Sequence, residues 1–409
     1  MTRSLEVRSL EDLSFIAKHT QHILTLFSGG VDSSYLLYKL SQYRCKVTAL
    51  TIDLGDGVVS EDLQYIAECF GVRLKVIDAR ERFIEQAIIP AIQANAKYMG
   101  IYPISSSLSR PIIAQYAVEL AKGLGCDAIL HTANQSQNSL RRLNGALRQL
   151  NFPGYIGSPY EYSAFSREEK IKSLCQIGLD RFQARGISGD ANLWVREYES
   201  GELDNPEDFS VPERLFKWTA KPSQPLSSST SLTLGFESGK PVSINNTPQS
   251  MIELIDTLNN VAGKYGIGRY SGLEHLEGGE KVLEVREAPA ATLLMAAYRH
   301  LETAVLDANL LRNKLAIEQI WVCEAIEGRW FGQLSAATAA FIQKSAEAVT
   351  GSVTFSLRPG VADLTSVHAL NPLYLTDRDG WEKNIAIARG CRSLAELSSS
   401  LTNHYALSA

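Results

Sequence analysis

No Cys-x-x-Cys pair occurs in this sequence. Its six cysteines, Cys45, Cys69, Cys126, Cys175, Cys323 and Cys391, are scattered, and their gaps match neither a zinc site nor a disulfide framework. Most lie in apolar segments and read as buried, reduced thiols. No apolar run is long enough to span a bilayer, and residues 1–19 are charged, without the apolar core of a signal peptide. No basic run offsets the net charge of −5, which argues against a general nucleic-acid binder. No period of tens of residues is visible, which excludes a solenoid. These absences leave a soluble, cytoplasmic protein with small-molecule partners, no nucleic acid and no membrane. The 409 residues, 45% hydrophobic and 21% charged, suit a globular chain of two or three domains.

The stretch Leu24-Thr25-Leu26-Phe27-Ser28-Gly29-Gly30-Val31-Asp32-Ser33-Ser34 organises the rest. Ile23 to Phe27 is short, apolar and β-prone, as a buried strand of a parallel sheet should be. Two glycines follow, where the backbone turns and approaches something closely. Asp32 to Ser34 then open a helical pattern with Leu36, Leu37 and Leu40 on one face. A strand, a Gly-rich turn and a helix start present free N–H groups to an anion. The turn lacks the lysine that a Walker loop needs after its second glycine, and it is not G-x-G-x-x-G. Ser-Gly-Gly-x-Asp-Ser instead resembles the pyrophosphate loop of the N-type ATP pyrophosphatases, enzymes that cleave ATP to AMP and pyrophosphate.

Along the chain, Leu10 to Ile16 predicts a short helix. Lys46 to Ile52, Arg73 to Ile77 and Ala128 to His131 predict further strands, alternating with helices over Ser60–Phe70, Arg82–Asn95 and Ile113–Leu124. Asp78-Ala79-Arg80-Glu81 resembles a capping box. This alternation implies α/β architecture: a doubly wound parallel sheet, with the loops at Ser28, Asp53 and His131 converging at the carboxyl ends of the strands. Asn138–Leu150 and Lys170–Ile177 follow as helices, the second behind a capping box at Ser166 to Glu169. The Pro/Ser-rich Trp218 to Ser229 reads as a linker. Beyond it, Ser231 to Ile244 predicts a hairpin around Gly239-Lys240-Pro241, Thr247-Pro248 a helix start, and Ala290–Leu311 one long helix. Gly351–Leu357 with Ala362–His368 predicts a second hairpin. The second half is therefore expected to be an α+β domain, closed by a helical tail from Trp381.

Laid out in this order, the chain resembles the argininosuccinate synthase family from about Ile23 to about Leu373. The resemblance is carried by the nucleotide loop, Tyr102 to Pro111, Asp190 to Trp194, Gly201-Glu202-Leu203, Gly266 to Arg269 and Val349 to Val353. It implies an adenine nucleotide alpha hydrolase-like domain over 21–185 after an extension over 1–20. A synthetase and multimerisation domain over 186–375 and an oligomerisation tail over 376–409 would follow. It further implies a homotetrameric carbon–nitrogen ligase that uses ATP and Mg²⁺, with no metal held by the protein alone. Such a ligase adenylates the ureido oxygen of citrulline, then joins it to the amine of aspartate with release of AMP and pyrophosphate.

Site residues follow from the resemblance. ATP falls to Phe27, Ser28, Gly29, Gly30, Val31, Asp32, Ser33, Ser34, Ile52 and His131. The citrulline-like acceptor falls to Tyr102, Ser107, Asn138, Arg142, Ser188, Glu197, Glu274 and Arg286, with Arg142 on the carboxylate and Ser188 and Glu274 on the ammonium. The amine donor falls to Ser106, Arg110, Asn134, Asn138 and Ser139. The sequence departs from the family at several of these. The family's Gly-x-Thr-Gly-Lys-Gly-Asn-Asp is here Thr132 to Ser139, which puts Asn134 for Thr, Ser136 for Lys and Ser139 for Asp. Glu197 replaces a Ser and Arg286 a Tyr; the two would form an ion pair or read a different substrate group. A paralogue with another acceptor or amine, a tRNA-modifying enzyme with the same loop, and a catalytically silent relative remain alternative readings.

Overall fold

A computed structural model of the chain describes residues 5–390, apart from 56, 58, 164, 181, 183–186 and 220–228. It divides into a large unit, residues 1–370, and a small one, residues 371–409.

The first part of the large unit runs β1 (Leu5–Val7), α1 (Leu10–His19), β2 (His22–Leu26), α2 (Val31–Leu40), β3 (Lys46–Asp53), α3 (Ser60–Cys69) and β4 (Arg73–Asp78). A broken helix follows: α4 (Arg80–Phe83), a π turn over Ile84–Ile88 and α5 (Ile89–Gln93). After the two-residue ladder of β5 (Lys97–Tyr98) and β6 (Tyr102–Pro103) come α6 (Ser106–Leu124), β7 (Ala128–Leu130), α7 (Ser139–Gln149), β8 (Tyr155–Gly157) and α8 (Arg167–Cys175).

Six of these strands form one sheet in the order β1-β8-β7-β2-β3-β4, and every pairing is parallel. The apolar residues of β2, β3 and β7 are almost all buried, because helices cover both faces. The doubly wound expectation is met. β1 was not anticipated: three residues of the N-terminal extension add an edge strand beside β8. The strand order reverses between β2 and β7. In such a sheet the crevice for a ligand lies there, at the carboxyl ends, between the loop after β2 and the loop after β7.

The remainder of the large unit is antiparallel. β9 (Ser188–Ala191), β10 (Arg196–Glu199), β14 (Arg269–His275) and β15 (Lys281–Glu287) form a four-stranded sheet in the order β14-β15-β10-β9. A five-stranded sheet takes β11 (Thr230–Glu237), β12 (Lys240–Ile244), β13 (Thr247–Pro248), β16 (Gly351–Arg358) and β17 (Val361–Ala369). Helices α9 (Met251–Lys264), α10 (Pro289–Val305), α11 (Ala308–Ile326) and α12 (Gln333–Ala346) complete an α+β part with a shared apolar core. The small unit holds α13 (Arg378–Gly390).

Several boundaries differ from expectation. α6 starts at Ser106, seven residues before Ile113, and carries Pro111 inside it. Its serine-rich first turn reads as a loop in the sequence. The Asp78 carboxylate accepts from the Arg80 backbone and side chain, so no capping box forms with Glu81. Thr247–Pro248 is a strand paired with Ser243–Ile244. The helix expected there begins at Met251, behind a capping box of Ser250 and Glu253. The long helix expected over Ala290–Leu311 is broken, since Asp307 caps the backbone of Asn309 and Leu310 and starts α11 afresh. Cys69, Cys175 and Cys323 are exposed rather than buried. The first two close their helices, where the apolar stripe has already turned away. Most of the expected linker over Trp218 to Ser229, and Cys391, lie outside the described residues.

Candidate active site

The loop after β2 is held from both sides. Gly29 has φ +73, which favours glycine, and a Cβ there would also displace the end of the Leu63 side chain on α3. Gly30 begins α2 with no side-chain cap, which leaves the first N–H groups of the helix free. Ser33 Oγ donates to the Gly30 carbonyl at 3.1 Å and lies 3.3 Å from Ser28 Oγ. Ser34 Oγ is buried without a partner among the described residues. Phe27 packs in the core with its N–H on the Leu50 carbonyl, and Thr51 Oγ1 donates to the Phe27 carbonyl at 2.6 Å. These bonds pin the strand end that delivers Ser28 to Ser34. Ile52 is half-buried near the end of the adjacent β3. His131 is buried just past β7, bonded to Asn144 at 2.9 Å. Burial drives its pKa down to about 4, so its ring is neutral at pH 7.

A second cluster is built where α6, α7 and the four-stranded sheet meet. Arg142 is buried on α7. Its guanidinium donates to Ser106 Oγ at 2.8 Å, to the Ile326 carbonyl at the end of α11 at 3.1 Å, and to Glu274 at 2.5 Å. The same Glu274 carboxylate accepts from Asn138 Nδ2 at 2.9 Å, from Tyr102 Oη at 3.3 Å and from Arg286 at 2.9 Å. Asn138 Oδ1 is buried with no partner among the described residues.

Arg286 faces Glu197 directly across β15 and β10, and the two form an ion pair at 3.1 Å. The ion pair is one of the two roles expected of these residues. Arg286 also donates to the Pro103 carbonyl at 2.8 Å, pairs with Glu284, and lies 4.2 Å over the Tyr102 ring. Glu197 accepts from the Ser106 N–H at 3.2 Å, and so caps α6 where Ser105 does not.

The carboxylates respond differently. Burial opposes ionisation of Glu274, but Arg142 and Arg286 outweigh it and hold its pKa well below the usual range. Glu284 pairs with Arg286 alone among the described residues; burial, with Glu274 and Glu197 near, pushes it up. Burial, followed by Glu197 and Asp190, raises Glu199 to about 7.

The residues expected at the amine donor are only partly assembled. Arg110 Nε donates to Ser139 Oγ at 3.0 Å and its Nη2 meets Asp190 at 2.6 Å. Asn134 Oδ1 instead accepts from the Ser136 backbone and hydroxyl within their own loop. Ser107 is buried on α6, and Ser188 is exposed on edge strand β9 opposite Glu199. Neither shares a hydrogen bond with Glu274 among the described residues. The sequence reading missed Glu199, Glu284 and Lys170. For the first two a signal exists. Glu197 and Glu199, and Glu284 and Arg286, are spaced by two, which places each pair on one face of its strand.

The comparisons with known proteins bear on the whole of this arrangement. Residues 22–179 match the family model for the arginosuccinate synthase N-terminal HUP domain, and residues 187–389 match the C-terminal domain of the same family. An argininosuccinate synthase from Rubrobacter xylanophilus is 34% identical over 358 residues, 87% of each chain. One from Dictyoglomus turgidum is 35% identical over 343 residues, 83% of this chain and 85% of its own. One from Pyrococcus furiosus is 34% identical over 364 residues, 88% of each.

Proposed function

The chain belongs to the argininosuccinate synthase family of ATP-dependent carbon–nitrogen ligases, and from that premise we propose that it joins citrulline to aspartate. The triphosphate lies on the free N–H groups of α2 and the hydroxyls of Ser28 and Ser33. The ureido oxygen attacks the α-phosphorus, forming one P–O bond as the bond to pyrophosphate breaks. The neutral amine of the second substrate then attacks the ureido carbon, loses a proton, and AMP departs. The loop holds the reacting atoms in line and answers charge on the leaving group.

The observation that carries the acceptor assignment is the Arg142–Glu274 pair beside the unpartnered Asn138 Oδ1. A zwitterionic amino acid can open that pair and satisfy both halves, its carboxylate on Arg142 and its ammonium on Glu274. Asn138 Oδ1 is then free to accept from an N–H of either substrate. Arg110 and Ser139 lie on the donor side.

Mg²⁺ fits as a shared ligand rather than a caged one. Among the described residues no three His, Cys, Asp or Glu groups could hold a metal, and Asp32, half-buried at the loop, is the carboxylate that would share the ion with phosphate oxygens. Bound there it would shield the charge of the departing pyrophosphate.

The same reading takes residues 21–185 as the ATP domain, 186–375 as the substrate and multimerisation domain, and 376–409 as the tail of a cytoplasmic homotetramer. Among the described residues no helix is long and apolar enough to cross a membrane. A tRNA-modifying role is not favoured, because both family models are those of the synthase. The test is pyrophosphate release with ATP, citrulline and aspartate, followed by chromatography for argininosuccinate. Absence of that product, while another ureido acid or amine supports turnover, would overturn the substrate pair. A monomeric mass by light scattering at micromolar concentration would overturn the tetramer.

A further inference from the structure

The phosphate loop has no lysine in its own sequence, yet the fold brings one to it. α8 lies against α2, and its inward residues are Leu174 and, one turn earlier, Lys170. A helical stripe calls for an apolar residue at that place, and a lysine is almost never so buried without a partner. Lys170 is 5% exposed. Its Nζ lies 2.7 Å from Asp32 Oδ1 and 4.1 Å over the ring of Tyr160. Tyr160 Oη in turn donates to the Asp32 carbonyl at 3.0 Å. Asp32 is thus gripped at both its side chain and its backbone by the segment after β8. Its carboxylate remains 32% exposed, in the first turn of α2 beside the free N–H groups.

We propose that Lys170 is a positioning residue for the ATP chemistry: it neutralises and fixes Asp32, so that the phosphate loop shows no net negative charge to an incoming triphosphate. The proposal rests on the reading of this loop as the ATP site. Without a partner, the Asp32 carboxylate would repel phosphate oxygens a few ångström away. With Lys170 in place the carboxylate is held in one position and its charge is balanced, and it stays available to a metal ion that arrives with the nucleotide. Lys170 acts through Asp32 and is not itself a phosphate ligand.

The experiment measures ATP binding calorimetrically in EDTA, without acceptor or amine, on the full chain. Lys170→Met is expected to weaken ATP roughly 10- to 100-fold, the effect of one uncompensated charge at short range. Lys170→Arg is expected to stay within about threefold of wild type, as charge is retained. The deciding variant is Asp32→Asn/Lys170→Met, which removes both charges. ATP affinity within about threefold of wild type supports the proposal, although turnover is lost with Asp32. A double variant as weak as Lys170→Met makes Lys170 a direct phosphate ligand and overturns it. So does wild-type affinity in Lys170→Met, which makes the lysine a packing residue. If Lys170→Met does not fold, the double variant alone decides by the same thresholds. Failure of the wild-type chain to bind ATP at all would remove the functional reading and the proposal together, whereas wild-type binding with a failed double variant removes the proposal alone.

Discussion

Replacing Arg286 with methionine keeps most of its volume and removes its charge. In the native chain its guanidinium reaches the Pro103 carbonyl at 2.8 Å, Glu274 at 2.9 Å and Glu197 at 3.1 Å, and it also pairs with Glu284. In Arg286→Met, Glu197 and Glu284 would lose the cation they pair with, and Glu274 would keep Arg142. Breaking a buried pair in this way typically costs about 3–5 kcal/mol. The chain can recover part of that by keeping a proton on Glu284, whose pKa burial already raises, to higher pH than wild type does. The variant's folded state then binds more protons than its unfolded state, so its stability falls as pH rises. Each extra proton changes the deficit by about 1.4 kcal/mol per pH unit. The deficit should therefore be largest near pH 8.5 and shrink towards pH 5.5. For 409 residues a loss of this size lowers Tm by about 4–6 °C. Differential scanning fluorimetry at pH 5.5, 7 and 8.5, on wild type and variant, measures it. A Tm loss below about 1 °C at pH 8.5, or one independent of pH, would refute the picture of a charge-balanced cluster.

Four further outcomes are expected. Asp32→Ala or Ser33→Ala should abolish AMP formation while circular dichroism is unchanged; wild-type turnover in either would remove the loop from the chemistry. Arg142→Ala should raise the acceptor KM by the equivalent of about 2–4 kcal/mol, and an unchanged KM would rule out its carboxylate role. Ser139→Asp with Asn134→Thr should raise kcat/KM for aspartate by about 10²-fold if a missing acid limits the donor site; equal kcat/KM in both chains would mean that Arg110 and its neighbours already suffice. Glu199 is held protonated up to about 7 by burial, Glu197 and Asp190. The raised pKa means that its stabilisation is complete below its ordinary range near 4.5 and is lost as pH rises through 7. Glu199→Gln should therefore gain on wild type by about 2–3 kcal/mol between pH 5 and 8, and parallel stability curves would contradict that environment.

The parallel sheet was legible because its strands are buried on both faces and read as short apolar runs such as Ile23 to Phe27. The phosphate loop was legible because its glycines and serines are contiguous. What escaped depends on tertiary context. Ser106 to Ser109 give a weak helical signal on their own, yet they form the first turn of α6 because Glu197, 91 residues away, caps it. The break between α10 and α11 hangs on one cap, Asp307, inside an unbroken apolar pattern. Lys170 stands among charged residues in the sequence, and only the packing of α8 on α2 shows it turned inward. Of the residues expected at the acceptor, Tyr102, Asn138, Arg142, Glu197, Glu274 and Arg286 lie together, but that Arg142 and Glu274 hold each other could not be read from either alone.

That mutual hold has a consequence for how the two substrates answer to salt. A zwitterion entering between Arg142 and Glu274 exchanges one internal ion pair for two contacts of the same kind, and the net charge of the complex equals that of the free protein. Few mobile ions are taken up or released, so acceptor affinity should be nearly flat with ionic strength. In the proposed arrangement ATP would bring several negative charges to a loop that meets them with N–H dipoles and one balanced pair, and its attraction to the positive end of α2 would be screened within about 10 Å at 0.1 M salt. Raising salt should therefore weaken ATP while sparing the amino acid, and the ionic-strength profile of each KM becomes a signature of which substrate sits on the loop and which in the buried cluster.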